Sequence, residues 1–173
     1  MYAPNVPLKL NMLGALTLDF KGGIGLVVRT STTDEAALEV QGFRTEADLN
    51  PTTPNSGTII ALTLSNETPT PLSTLTSAGL LRVHLSLTAT MTDKATGEET
   101  VVASMDTATY ATLRSDNVES FPPVNQPWTL QEPVTLYEPG GSEAQGSQVV
   151  GTLEGYDATV NHAAQRSAQR RTR

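Results

Sequence analysis

Arg82 and His84 stand two residues apart in the run Leu80–Thr92, on the polar parity of a segment whose other parity is apolar. An imidazole beside a guanidinium is an acid/base or anion-binding pair if that strand face lines a polar cavity; on a water-facing strand both would simply be solvated. Asp106 follows directly on the alternating segment Glu99–Met105, and Asp19 sits in a similar position near a turn. A carboxylate enclosed in apolar surroundings can serve as base or acid, whereas one at a strand end caps turn amides. Tyr137 adds a phenol beyond Pro133. Tyr137, Asp106, Arg82 and His84 are therefore the candidate catalytic set.

The chain has only eight aromatic residues, so each is informative. Phe121, Trp128 and Tyr137 gather around the proline-bearing stretch Asp116–Pro127, as a loop folded over an opening would require. A pocket for an apolar ligand needs such rigid surfaces near its mouth, and Trp128, Phe121, Tyr110 and Phe20 are the candidate ligand contacts. The alternative for Trp128 is a plug that pins the loop to the core.

Other chemistries find little support. There is no cysteine, and the two histidines, His84 and His162, are far apart, without a His-Glu-x-x-His pattern. Disulfides are excluded, and a zinc or other transition-metal site is not expected. Lys21-Gly22-Gly23-Ile24-Gly25 lacks the phosphate-loop pattern and reads as a hairpin turn, and no Gly-x-Ser-x-Gly elbow occurs. No cofactor is expected. Four arginines fall in the last eight residues without an acid, so the formal charge of −7 becomes −11 over the rest of the chain. A body of that sign repels nucleic-acid phosphates and anionic lipid, so neither is an expected partner. No segment is apolar for long enough to span a membrane, and Met1–Pro7 lacks the basic start and apolar core of a secretory signal, which points to a cytoplasmic protein.

The elements that must position these residues are strands. Leu81, Val83, Leu85, Leu87, Ala89 and Met91 alternate with polar residues, the pattern of a half-buried strand. Threonine occurs 26 times and suits sheet geometry, which offsets a hydrophobic share of 38%. Leu8–Phe20 reads as one strand bent at Gly14, Ile24–Thr30 and Ala37–Arg44 as the next two, and Thr45–Ser56 as a loop. Thr58–Asn66 follows as a strand and Glu67–Thr76 as a second loop. Leu80–Thr92 pairs with Glu99–Met105 in a hairpin through Asp93–Glu98, with Gly97 at the positive-φ position. Trp128–Leu130 with Val134–Tyr137, and Gln148–Val160, complete the set.

Eight or nine strands in one domain, residues 1–161, followed by a basic flexible tail, 162–173, predict a single antiparallel β-barrel of about eight strands. A two-sheet sandwich of jelly-roll type is the second choice. By fold-level analogy, such a barrel binds an apolar small molecule and, if it is an enzyme, acts as a metal- and nucleotide-independent isomerase or cyclase that folds a flexible substrate by orientation and desolvation. Two other readings stay open: a structural or assembly subunit that forms homo-oligomers, and a non-enzymatic module that binds another protein by an exposed strand edge. A compact core without a cavity, together with an exposed edge, would favour the last.

Overall fold

The computed structural model describes residues 1–50, 52, 57–65, 71–119 and 121–160; the basic tail and His162 lie outside them. Thirteen strands follow in order: β1 (Tyr2–Leu10), β2 (Gly14–Ser31), β3 (Glu35–Asp48), β4 (Thr58–Leu64), β5 (Ser73–Thr76), β6 (Leu81–Leu85) and β7 (Leu87–Asp93). Then come β8 (Glu99–Ser104), β9 (Ala111–Ser115), β10 (Gln126–Leu130), β11 (Val134–Tyr137), β12 (Val149–Leu153) and β13 (Asp157–Val160). Alternation sets their faces: Leu81, Val83 and Leu85 of β6 are buried, while Arg82 is exposed and His84 half-buried.

All thirteen strands join one sheet, in the order β12-β11-β8-β7-β4-β3-β2-β1-β13-β10-β9-β6-β5, with additional β12–β1 and β3–β5 pairings. The hydrogen bonding therefore runs in two ring-like circuits that share β1, β2 and β3. One passes through β4, β7, β8, β11 and β12, the other through β5, β6, β9, β10 and β13. This overturns the single barrel of about eight strands, and the sheet is not split into the two layers of a sandwich. The cause lies in breaks inside runs that read as continuous. Ser86 divides Leu80–Thr92 into β6 and β7, which pair with different neighbours, and its carbonyl accepts a hydrogen bond from the Ser65 amide at 2.8 Å.

Two glycines are reinterpreted by the structure. Leu8–Phe20 is a hairpin: Leu13 N–H donates to Leu10 C=O at 2.9 Å, and Gly14, at φ +81°, opens β2. Lys21-Gly22-Gly23 is no turn, since β2 runs straight through it; a Cβ on Gly22 would lie 2.0 Å from the Arg44 carbonyl oxygen, so glycine there admits the close passage of β3. Likewise β3 extends to Asp48 through a fully buried Thr45, where a loop is expected from the sequence. The β7–β8 hairpin forms as expected, with Thr92 opposite Glu99 and the Asp93 carboxylate accepting from the Ala95 and Thr96 amides.

The buried side chains make one continuous core. Its largest fully enclosed members include Trp128, Phe20, Leu8, Leu10, Leu38, Ile60 and Leu136. The space expected to receive an apolar substrate is thus occupied by the protein's own side chains, which overturns the apolar-ligand barrel and, with it, the isomerase or cyclase reading. Among the described residues no helix is long and apolar enough to cross a membrane, which is all the structure adds to the expectation of a cytoplasmic protein.

Candidate functional site

Two surface features stand out, a groove at a strand break and an unpaired strand edge. The groove lies where β8 gives way to β9 and β10 to β11. There the sheet is thinly stitched: β8 meets β11 only through Ser104 opposite Tyr137, and β9 meets β10 through Leu113 and Arg114. The depression between them is open to solvent and has a volume of about 650 Å3.

From the β6 side, Arg82 and His84 reach this groove. His84 is fixed from two directions. Its backbone N–H donates to Ser73 Oγ at 3.0 Å, and its Nδ1 lies 3.1 Å from Thr112 Oγ1 on the paired strand β9. The Tyr110 ring meets the imidazole edge-on, with centroids 4.6 Å apart. Burial, aided by the charge of Arg82, holds the imidazole below its ordinary range and so favours its uncharged form. Arg82 has no ion pair among the described residues.

Asp106 is buried, and both its oxygens are occupied. One accepts the Ala108 amide at 2.8 Å, the other the Glu143 amide at 2.9 Å. It clamps the segment that follows β8 to the segment beyond β11, the capping alternative rather than a free base. Tyr137 is nearly buried beside it. Burial first, then the carboxylates of Glu143 and Asp106, push its phenol above the usual range. Gln131 and Glu132 form the opposite lip, and the Gln131 amide donates to the Thr112 carbonyl at 3.0 Å, tying lip to floor.

The groove therefore gathers all four candidate catalytic residues and Tyr110, but not the other candidate ligand contacts. Trp128 and Phe20 are core residues, 1% and 0% exposed, and Phe20 packs on Tyr156 at 6.2 Å. Phe121 stands exposed in the loop before β10, outside the groove lining. Thr112, Gln131, Glu132, Thr135 and Glu143 also line the groove without having been singled out from the sequence. Thr112 shows a weak sequence signal, since it shares the polar parity of its strand. The arrangement presents a rigid ring and oriented donors and acceptors. Among the described residues no group of three or more His, Asp or Glu side chains is placed to hold a metal ion.

The second feature is the distal half of β2. Gly14–Lys21 pair with β1 and Lys21–Ser31 with β3, so only Lys21 is paired on both sides; from Gly23 to Ser31 the strand's only partner among the described residues is β3. Register shifts between Gly25 and Leu26 and between Val28 and Thr30 delimit the edge, the second leaving Arg29 as the extra residue. Arg29 is ion-paired with Glu39. Ile24 and Leu26 pack partly against the core, and Val28 on the same face is 45% exposed. Comparison of this chain with protein families, with characterised proteins and with solved structures returns no match, so both features are interpreted from their own geometry.

Proposed function

We propose that this protein is a non-enzymatic module that binds another protein by accepting an extended segment along the free edge of β2. The observation that carries this reading is the row of main-chain donors and acceptors on Gly23–Ser31 that faces no strand among the described residues, bordered by the exposed Val28 and backed by a filled core. An added strand would satisfy those groups in the manner of β-augmentation, with affinity from the main chain and selectivity from side chains beside Leu26 and Val28. The edge also carries protection suited to a surface that must accept one partner and refuse indiscriminate pairing. It is short, it is kinked by the Arg29 bulge, and it bears a charge.

The test is a selection of short displayed peptides on the intact protein, with amide exchange recorded on the complex. Enriched peptides alternating β-branched residues, protection confined to 23–31, and a loss of about tenfold in affinity in Val28→Lys would support the reading. Peptides that bind without protecting those amides, or that bind Val28→Lys equally well, would overturn it.

A further inference from the structure

A second site lies apart from that edge. From the groove's geometry we infer that it receives a neutral polysaccharide chain, with Tyr110 as the stacking platform and Arg82, Gln131 and Glu132 as the groups that grip hydroxyls.

Tyr110 is 48% exposed, yet it is braced edge-on by His84. His84 is itself pinned by Thr112 Oγ1 and by Ser73 Oγ through its backbone amide. A ring held in place by a chain of contacts offers a flat apolar surface at small entropic cost. A pyranose presents such a surface in the C–H face of its ring, with hydroxyls around the rim.

Arg82, Gln131 and Glu132 end in planar groups with two or more donors or acceptors side by side, the geometry that grips a pair of adjacent hydroxyls. Arg82 and Glu132 are exposed, and neither has an ion pair among the described residues.

The groove holds one cation, Arg82, against the carboxylates of Glu132, Glu143 and the amide-bound Asp106. This balance opposes a polyanion, a penalty that a neutral ligand does not meet. Finally, the depression is open to solvent, which leaves room for a polymer to pass, whereas the enclosed apolar pocket that suits a small hydrophobic ligand is not what these residues build.

Affinity electrophoresis of the intact protein in gels cast with soluble β-glucan, xylan, mannan or galactan tests the proposal, with polyglutamate and dextran sulfate gels as charged controls. Retardation by at least one neutral polymer is expected. It should weaken about tenfold in Tyr110→Ala and return in Tyr110→Phe, with unchanged thermal unfolding in both variants. Loss in Gln131→Ala would place the contact at the lip as well. Migration unaffected by every neutral polymer, retardation only by the charged ones, or retardation indifferent to Tyr110→Ala would overturn the proposal. Displayed peptides that bind wild type but not Tyr110→Ala would do so too, by assigning the groove to a polypeptide instead.

Discussion

Tyr110 and Tyr156 each sit beside another aromatic ring, but at opposite extremes of exposure. Tyr156 is 2% exposed, wedged between Phe20 and Phe43, and its hydroxyl donates to Thr45 Oγ1 at 3.1 Å. Tyr110 is 48% exposed, with its ring on His84, whose own Nδ1 faces Thr112 Oγ1. In the first cluster the polar atoms exist to be satisfied, because a buried hydroxyl without a partner costs about 1–3 kcal/mol. In the second, the imidazole and the Thr112 hydroxyl face each other, and the exposed Tyr110 ring and the groove's Arg82, Gln131 and Glu132 are left for something else. The comparison teaches that residue type alone does not separate a structural tyrosine from a recognition tyrosine; enclosure does.

Truncation separates the two most sharply. Tyr156→Ala should cost about 4 kcal/mol in urea unfolding, as loss of a buried aromatic does, while Tyr110→Ala should stay within about 0.5 kcal/mol. Comparable losses at both positions would erase the distinction.

Alkaline titration comes next. Enclosure pushes the Tyr156 phenol up to about 12 from an ordinary 10.0. The folded state thus holds this proton more tightly than the unfolded one. Its contribution is complete below pH 10 and drains away as pH rises toward 12, by about 3 kcal/mol. Urea midpoints across that window should fall steeply in the wild type and flatten in Tyr156→Phe; an equal fall in both would assign the loss elsewhere.

Asp106→Ala tests the clamp beneath the groove. It strands the Ala108 and Glu143 amides and should cost about 2 kcal/mol, with faster amide exchange at both positions. A stability cost without faster exchange there would remove the clamp from the argument.

The smallest effect belongs to His84. Its depressed basicity comes first from burial and then from Arg82, so its imidazole signals should titrate below 6.5. The signals should move back up in Tyr110→Ala, which rehydrates the ring, and in Arg82→Gln, which removes the charge; Asp106, Glu132, Glu143 and Tyr137 also border the groove. Because the folded value is lowered, the group favours folding above pH 6.5 and opposes it as pH drops through the folded midpoint. An unmoved midpoint in both variants would show that the local environment is not what lowers it.

The sequence foretells burial better than connectivity. Leu81, Val83, Leu85, Leu87 and Ala89 keep one parity, and all are buried. Yet the parity stays in phase across Ser86, so one strand and two strands with different neighbours look alike in the residues. Pairing depends on contacts between distant segments, which alternation does not encode. The groove residues can be picked out because Arg82, His84, Asp106 and Tyr137 are polar groups in or beside apolar strands. Trp128 and Phe20 cannot be sorted the same way, since a large apolar ring suits a core and a pocket mouth equally. Tyr156 hides among polar neighbours, Glu154, Gly155 and Asp157, which give it the look of a surface segment; its burial comes from Phe20 on β2 and Phe43 on β3, far away in the chain.

The pairing of β1 with both β12 and β13 has a consequence for synthesis. Neither circuit can close until residues 149–160 have left the ribosome, because β12 and β13, which complete them, follow the other described strands in the chain. Until then β1 waits with one edge open beside the already open edge of β2, so the nascent chain carries a far longer unpaired margin than the finished protein.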